Sequence, residues 1–171
     1  MNIHYRKLLP ADSKQYRDVR LDALQKFPEN FGSNYETESA KPKLAFEIAI
    51  EQQADNNFII GAFDGEKLIG ICGFAQETGP KIRHRGLIIQ MYIRPQYQGK
   101  GLGFKLLQTT VDEAFKIPEV EQLALGVISH NVNAAKIYER AGFKEFGMQP
   151  NYLKIGDKYL HQRLMLLGRK S

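Results

Sequence analysis

An apolar run over residues 86–93 passes through Arg94 and Pro95 into Gly99, Lys100, Gly101, Leu102 and Gly103, where a helical pattern begins. Leu87, Ile88, Ile89, Met91 and Ile93 are nearly continuous, as in a strand covered on both faces. Leu102, Leu106, Leu107, Val111, Ala114 and Phe115 then recur three and four residues apart and stop before Pro118. A buried strand, a glycine turn and an amphipathic helix in succession demand helices layered on a sheet. The glycines remove side chains that would hold an anion off the main chain. The helix start adds unpaired N–H groups and the positive end of its dipole. A diphosphate fits such a turn, and Lys100 and Lys105 would add charge nearby. The alternative is a tight turn without a ligand. No glycine is followed by Lys and then Ser or Thr, and positions 104 and 106 are Phe104 and Leu106, so both common nucleotide fingerprints fail. What remains is Q-x-x-G-x-G over residues 98–103.

The rest of the chain fits around that unit. Residues 3–8 form a mixed strand; Asp12 and Gln15 resemble a capping box, and Tyr16, Val19, Ala23 and Phe27 keep helical spacing up to Pro28. Residues 29–40 are polar and loop-like, and Pro42 opens a second helix to about Gln53 with Leu44 and Ile48 on one face. Strands at 58–63 and 67–74 join through Asp64 and Gly65. A strand at 123–128, a helix at 133–141 closed by Gly142, and strands at 144–155 and 158–167 around Gly156 and Asp157 complete the order βααβββαβαββ. Residues 1–171 thus read as one α/β (α+β) domain on a single mixed, mostly antiparallel central sheet flanked by helices.

Composition excludes several classes. With 43% hydrophobic residues the chain is too apolar for disorder, and no segment has the roughly 20 apolar residues that span a bilayer. The first ten residues lack the apolar run of a secretory signal, so a cytoplasmic location is expected. The lone Cys72 cannot form an internal disulfide and reads as core filler. His4 and His161 are isolated, and no Cys/His cluster has ligand spacing, so no metal is expected. The net charge of +5 is uneven: residues 1–40 are neutral, 41–80 carry −3 and 81–171 carry +8. A positive second half draws polyanions, phosphorylated cofactors and nucleic acids alike. No helix carries a dense Lys/Arg face, and the aromatics do not interleave with basic residues, which disfavours nucleic acid.

Asn131, Ala134, Tyr138, Gly142 and Phe143 supply a second pattern, N-x-x-A-x-x-x-Y-x-x-x-G-F, downstream of the glycine loop. The two patterns in this order resemble the Gcn5-related N-acetyltransferase (GNAT) family over residues 87–143. The resemblance implies a GNAT-like acyl-CoA N-acyltransferase fold. It implies that the main chain of Gln98, Gly99, Lys100, Gly101, Leu102, Gly103 and Phe104 cradles the diphosphate of acetyl-CoA. Met91, Tyr92 and Ile93 would bind the pantetheine arm as an added strand, in a gap where this strand leaves its neighbour. An unpaired strand edge needs such a partner. Asn131 is implied as a contact to the cofactor arm; helix capping is its other reading.

Tyr138 is implied as the acid that protonates the leaving thiolate, and a phenol with a pKa near ~10 holds its proton at neutral pH. A core aromatic is the alternative. The base stays open: deprotonating an alkylamine at pH 7 costs roughly 4.6 kcal/mol, and Gln90, where some family members carry an acid, cannot take a proton. Glu77, His84 and His130 are the candidates, and the acidic 41–80 block would attract a cationic amine. Expected partners are a small-molecule or peptide amine and, since family members often pair through exposed strands or helices, a second copy. A cofactor-binding regulatory module without turnover is the alternative function.

Overall fold

The computed structural model describes residues 1–171. Strand β1 (Ile3–Lys7) leads into helix α1 (Ser13–Lys26), the short helices α2 (Tyr35–Ser39) and α3 (Ala45–Glu51), and the antiparallel strands β2 (Asn57–Asp64), β3 (Lys67–Gln76) and β4 (Arg85–Ile93). Helix α4 (Leu102–Phe115), strand β5 (Gln122–Ile128), helix α5 (Val132–Arg140) and the hairpin β6 (Lys144–Ile155) and β7 (Lys158–Gly168) follow. One seven-stranded sheet has the order β1-β2-β3-β4-β5-β7-β6. Its single parallel pair, β4 with β5, is bridged by α4, as a strand, helix, strand passage requires.

Both faces of the sheet centre are covered. Tyr16, Val19 and Ala23 of α1, with Leu44 and Ile50, pack on Ile59, Leu68 and Ile71. Leu106, Leu107 and Ala114 of α4, with Ala135 and Tyr138 of α5, pack on Ile60, Ile69, Cys72 and Phe74. Cys72 is fully buried, as a filler should be, and burial pushes its thiol up to about 12. No helix is long and apolar enough to cross a membrane. Phe146, Met148, Ile155 and Tyr159 leave apolar surface exposed on the outer hairpin.

Four local expectations change. Asp12 stands at the start of α1 but makes no side-chain cap; its carboxylate accepts from Leu9 N and Arg6 Nη1, both at 2.7 Å, because a tight turn over Pro10–Asp12 faces it backwards. Gln15 instead accepts from Leu68 N at 2.9 Å, tying α1 to β3. The polar 29–40 stretch contains α2, capped by Asn34, whose Oδ1 accepts from Thr37 N at 2.8 Å. Helix α3 starts at Ala45 rather than Pro42; Leu44 and Ile50 are buried while Ile48 is exposed. Finally, Leu87, Ile89 and Met91 of β4 are only half-buried, and Ile89 and Met91 border a cleft.

Candidate active site

Strands β4 and β5 pair only through Arg85, Gly86 and Leu87 with Gln122, Leu123 and Ala124. Beyond Leu87 the ladder ends and the strands diverge. The cause lies in β4: its register against β3 skips between Ile71↔Tyr92 and Gly73↔Ile89, and Gln90 sits at φ +56°. Left-handed backbone at a non-glycine residue is strained and marks an imposed bulge. Tyr16 of α1 holds it, its buried hydroxyl donating to Gln90 Oε1 at 2.6 Å. Gln90 is therefore a structural anchor of the bulge.

A cavity of about 1150 Å³ occupies the gap and reaches both faces of the sheet. On the α4/α5 face it is lined by Gln98, Gly99, Gly101, Leu102, Gly103, Phe104, Asn131, Ile137, Tyr138 and Arg140. On the α1 face Arg20, Phe31, Gly32, Tyr152 and Gln162 line it, and Ile89, Gln90, Met91, Tyr92 and Ile93 form the sill between the arms. The sequence-predicted residues thus converge, apart from Lys100. Its amine turns outward to Gln96 O at 3.4 Å and over the Tyr97 ring, leaving its main chain in the loop. Lys105 is exposed and likewise off the lining.

The loop suits a bulky anion. Gly99 and Gly101 lie at φ +75° and +76°, which glycine adopts without strain, and a Cβ at either would meet no protein atom within 4 Å. Gly101 is the N-cap of α4, so the free N–H groups of that helix open onto bare space. Gly103 serves packing: a Cβ there would come within 3.2 Å of Ile137 and 3.3 Å of Met91. Gln98 spends its side chain inward, Nε2 donating to Ile93 O at 2.7 Å, and so fixes the loop to the end of β4. Arg140, whose guanidinium stacks 3.8 Å from the Phe104 ring centroid, adds a positive charge that no sequence pattern singled out.

Asn131 caps α5, its Oδ1 accepting from Ala134 N at 3.4 Å while the residue borders the cavity. Tyr138 is 7% exposed, packs edge-on to Phe143 with ring centroids 6.1 Å apart, and reaches the cavity. Burial pushes its phenol well above the usual tyrosine range, so it holds its proton throughout the neutral region.

None of the three candidate bases lines the cavity. Glu77 pairs with Arg85 at 3.2 Å, His84 lies in the β3–β4 connection, and His130 borders a separate depression beside Glu29 at 3.5 Å. Glu47 and Glu51 of the acidic 41–80 block are engaged by Arg17 and Lys43. No Asp, Glu or His lines the cavity. Nor do three or more His, Cys, Asp or Glu converge to hold a metal ion; His4 stacks on Phe63, and His161 Nδ1 accepts from Asn151 N at 3.0 Å.

Two features of the α1-face arm escaped the sequence. Strand β6 bulges around Asn151, at φ +53°, and carries Tyr152 so close to Gly32 that a Cβ there would come within 3.3 Å of the Tyr152 hydroxyl. Gly126 of β5 lets Gln162 of β7 lie across it; a Cβ would sit 2.1 Å from Gln162 Nε2.

The model of the acetyltransferase (GNAT) family matches residues 20–143, which contain the split strand, the glycine loop and both motif helices. The chain belongs to the GNAT family. A spermidine N(1)-acetyltransferase of Vibrio cholerae is 27% identical over 118 residues, covering 69% of this chain and 66% of that protein. The Escherichia coli K12 spermidine N(1)-acetyltransferase is 30% identical over 110 residues, 64% of this chain and 56% of that one. An aminoglycoside N(6')-acetyltransferase type 1 of Klebsiella pneumoniae is 36% identical over 72 residues, 42% of this chain and 34% of its own. The fold recurs in a Streptococcus pneumoniae GNAT acetyltransferase, with a TM-score of 0.84, 22% identity and coverage of 98% and 100%. It recurs in Salmonella typhimurium yncA, solved with acetyl-CoA, with a TM-score of 0.82, 20% identity and coverage of 100% and 96%.

Proposed function

We propose that this GNAT protein transfers the acetyl group of acetyl-CoA to a small primary amine by direct attack in a ternary complex. The observation that carries the reading is the opening between β4 and β5, with a strand edge on one side and an unobstructed glycine-bounded helix start at its mouth. Main-chain N–H groups from Gln98 to Phe104 bind the diphosphate, and Arg140 adds charge beside them. Met91, Tyr92 and Ile93 take up the pantetheine amides as an added strand, with the side-chain amide of Asn131 as a further donor. When bound, acetyl-CoA supplies an acetyl thioester. The acceptor nitrogen forms a bond to the acetyl carbon, the carbon–sulfur bond breaks, and the sulfur leaves with the electron pair. Tyr138 donates the proton that the sulfur takes up, and solvent later restores it.

The acceptor nitrogen loses its proton to water, since the lining contains no carboxylate or imidazole. The acetyl transfer rate at subsaturating amine should therefore rise about tenfold per pH unit toward the amine's own pKa. Because burial raises the Tyr138 pKa, the protonated donor persists to a higher pH than an ordinary tyrosine allows, and no fall in rate should appear up to about pH 10. A plateau near pH 6–7 would show that a protein base takes the proton instead.

The reading is tested by following free thiol from acetyl-CoA across a panel of amines. Amine-dependent release supports it. Saturable acetyl-CoA binding without release for any amine would favour the regulatory module.

A further inference from the structure

Arg20 stands apart from the other arginines. Arg6 pairs with Asp12, Arg17 with Glu47, Arg94 with Asp22, and Arg163 with Glu139 and Glu145. Arg20 is more buried than any of these, at 6% exposure, yet forms no ion pair, and its Nη1 is sealed from solvent without a hydrogen-bond partner. A buried cation without a counter-ion is among the most costly arrangements a chain can keep. Glu38 of α2 exerts an attraction on it, but that carboxylate is held by Lys41 at 2.7 Å. Burial lowers the guanidinium's affinity for its proton, although arginine stays charged at any physiological pH.

The position is as informative as the missing partner. Arg20 lines the α1-face arm of the cavity, its guanidinium 5.0 Å from the Phe31 ring centroid. It lies four residues along α1 from Tyr16, about 6 Å on a helix axis, and Tyr16 holds the Gln90 bulge where the two arms meet. The only other charged side chain on the lining, Arg140, faces the opposite arm beside Phe104. A polycationic acceptor would find no carboxylate to bind there, and would meet a fixed positive charge.

We propose that the acceptor is a free amino acid, whose amine lies at the β4 bulge while its carboxylate is received by Arg20 in the arm walled by Phe31, Tyr152 and Gln162. This rests on the acetyl-transfer reading and narrows its substrate class. It sets the chain apart from the relatives named for spermidine and aminoglycosides, which are cationic amines without a carboxylate.

The test uses the full chain, saturating acetyl-CoA and thiol release, with matched acceptors: an α-amino acid, its carboxamide and its decarboxylated amine, alongside spermidine and kanamycin. Per unprotonated amine, because the carboxamide's amine is the more acidic of the two, the amino acid should exceed its carboxamide by about 100-fold in kcat/KM, the scale of a charge-assisted hydrogen bond. Arg20→Lys should raise the amino acid KM by about tenfold, and Arg20→Gln by about 100-fold. Neither should change the acetyl-CoA KM, and the carboxamide kcat/KM should fall far less than that of the amino acid. A purely structural role would instead lower the melting temperature and disturb all acceptors alike. Should Arg20→Gln fail to fold, the wild-type comparison of acid with carboxamide and the Arg20→Lys variant still decide. Equal kcat/KM per unprotonated amine for acid, carboxamide and decarboxylated amine, or preference for spermidine or kanamycin on that basis, would overturn the Arg20 assignment and leave acetyl transfer standing. Thiol release with none of these amines would overturn both.

Discussion

The two arms of the cleft are built from different materials. The arm on the α4/α5 face is mostly main chain: glycines at 99 and 101, the first turn of α4 and the free edge of β4. The arm on the α1 face is mostly side chain: Arg20, Phe31, Tyr152 and Gln162, drawn from α1, the following loop and both strands of the last hairpin. Main-chain recognition needs a fixed loop conformation, so it leaves a glycine pattern in sequence. Side-chain recognition needs only that distant residues meet, and it can change without touching the first arm. A common reaction and variable acceptors are what such a division permits.

Single substitutions should therefore separate the arms. The largest effect is expected between them, at Tyr138: Tyr138→Phe should lower kcat by about 100-fold or more with little change in either KM. An unaltered rate would return Tyr138 to the role of a core aromatic. Next, Gly101→Val should weaken acetyl-CoA binding about 30-fold in calorimetry, through left-handed strain and a branched side chain in the open cradle. The acceptor KM should stay within twofold, and a change there instead would erase the division.

Smaller effects should fall at the joint and in the second arm. Tyr16→Phe removes the hydroxyl that pins Gln90 and should cost about 1 kcal/mol in denaturant unfolding, with a kcat loss of about fivefold as the bulge relaxes. Gly126→Ala forces Gln162 aside and should shift the acceptor KM about threefold while acetyl-CoA affinity holds, because the obstructed group is a flexible side chain.

The fold was legible wherever a local pattern carried it. Periodicity located α1 and α4, Gly142 marked the end of α5, the Asp64–Gly65 and Gly156–Asp157 turns located two hairpins, and the order of elements followed. Helix α2 escaped because Tyr35, Glu36 and Thr37 show no apolar period and it is held by a cap and neighbouring contacts. The Asp12 cap failed because an intervening tight turn redirected its carboxylate to Leu9 and Arg6.

At the site, Gln98 to Gly103, Asn131 and Tyr138 belonged to a motif, whereas Arg20, Arg140, Tyr152 and Gln162 belonged to none and Tyr16 showed only helical spacing. The φ of +56° at Gln90 had no sequence signal at all, since nothing local asks a glutamine to adopt it. The side-chain contact that accompanies it comes from Tyr16, 74 residues away along the chain. The base candidates Glu77, His84 and His130 were chosen for their chemistry, and the fold puts each of them off the cavity lining.

In the proposed function, main-chain amides at the glycine turn hold the diphosphate of acetyl-CoA. Calorimetric titration of the full chain with acetyl-CoA and, separately, with acetyl-pantetheine, which lacks that diphosphate, tests it most directly. Saturable one-to-one binding of acetyl-CoA and at least about 100-fold weaker binding of acetyl-pantetheine are expected. Equal affinity for the two, or no saturation with acetyl-CoA, would contradict it.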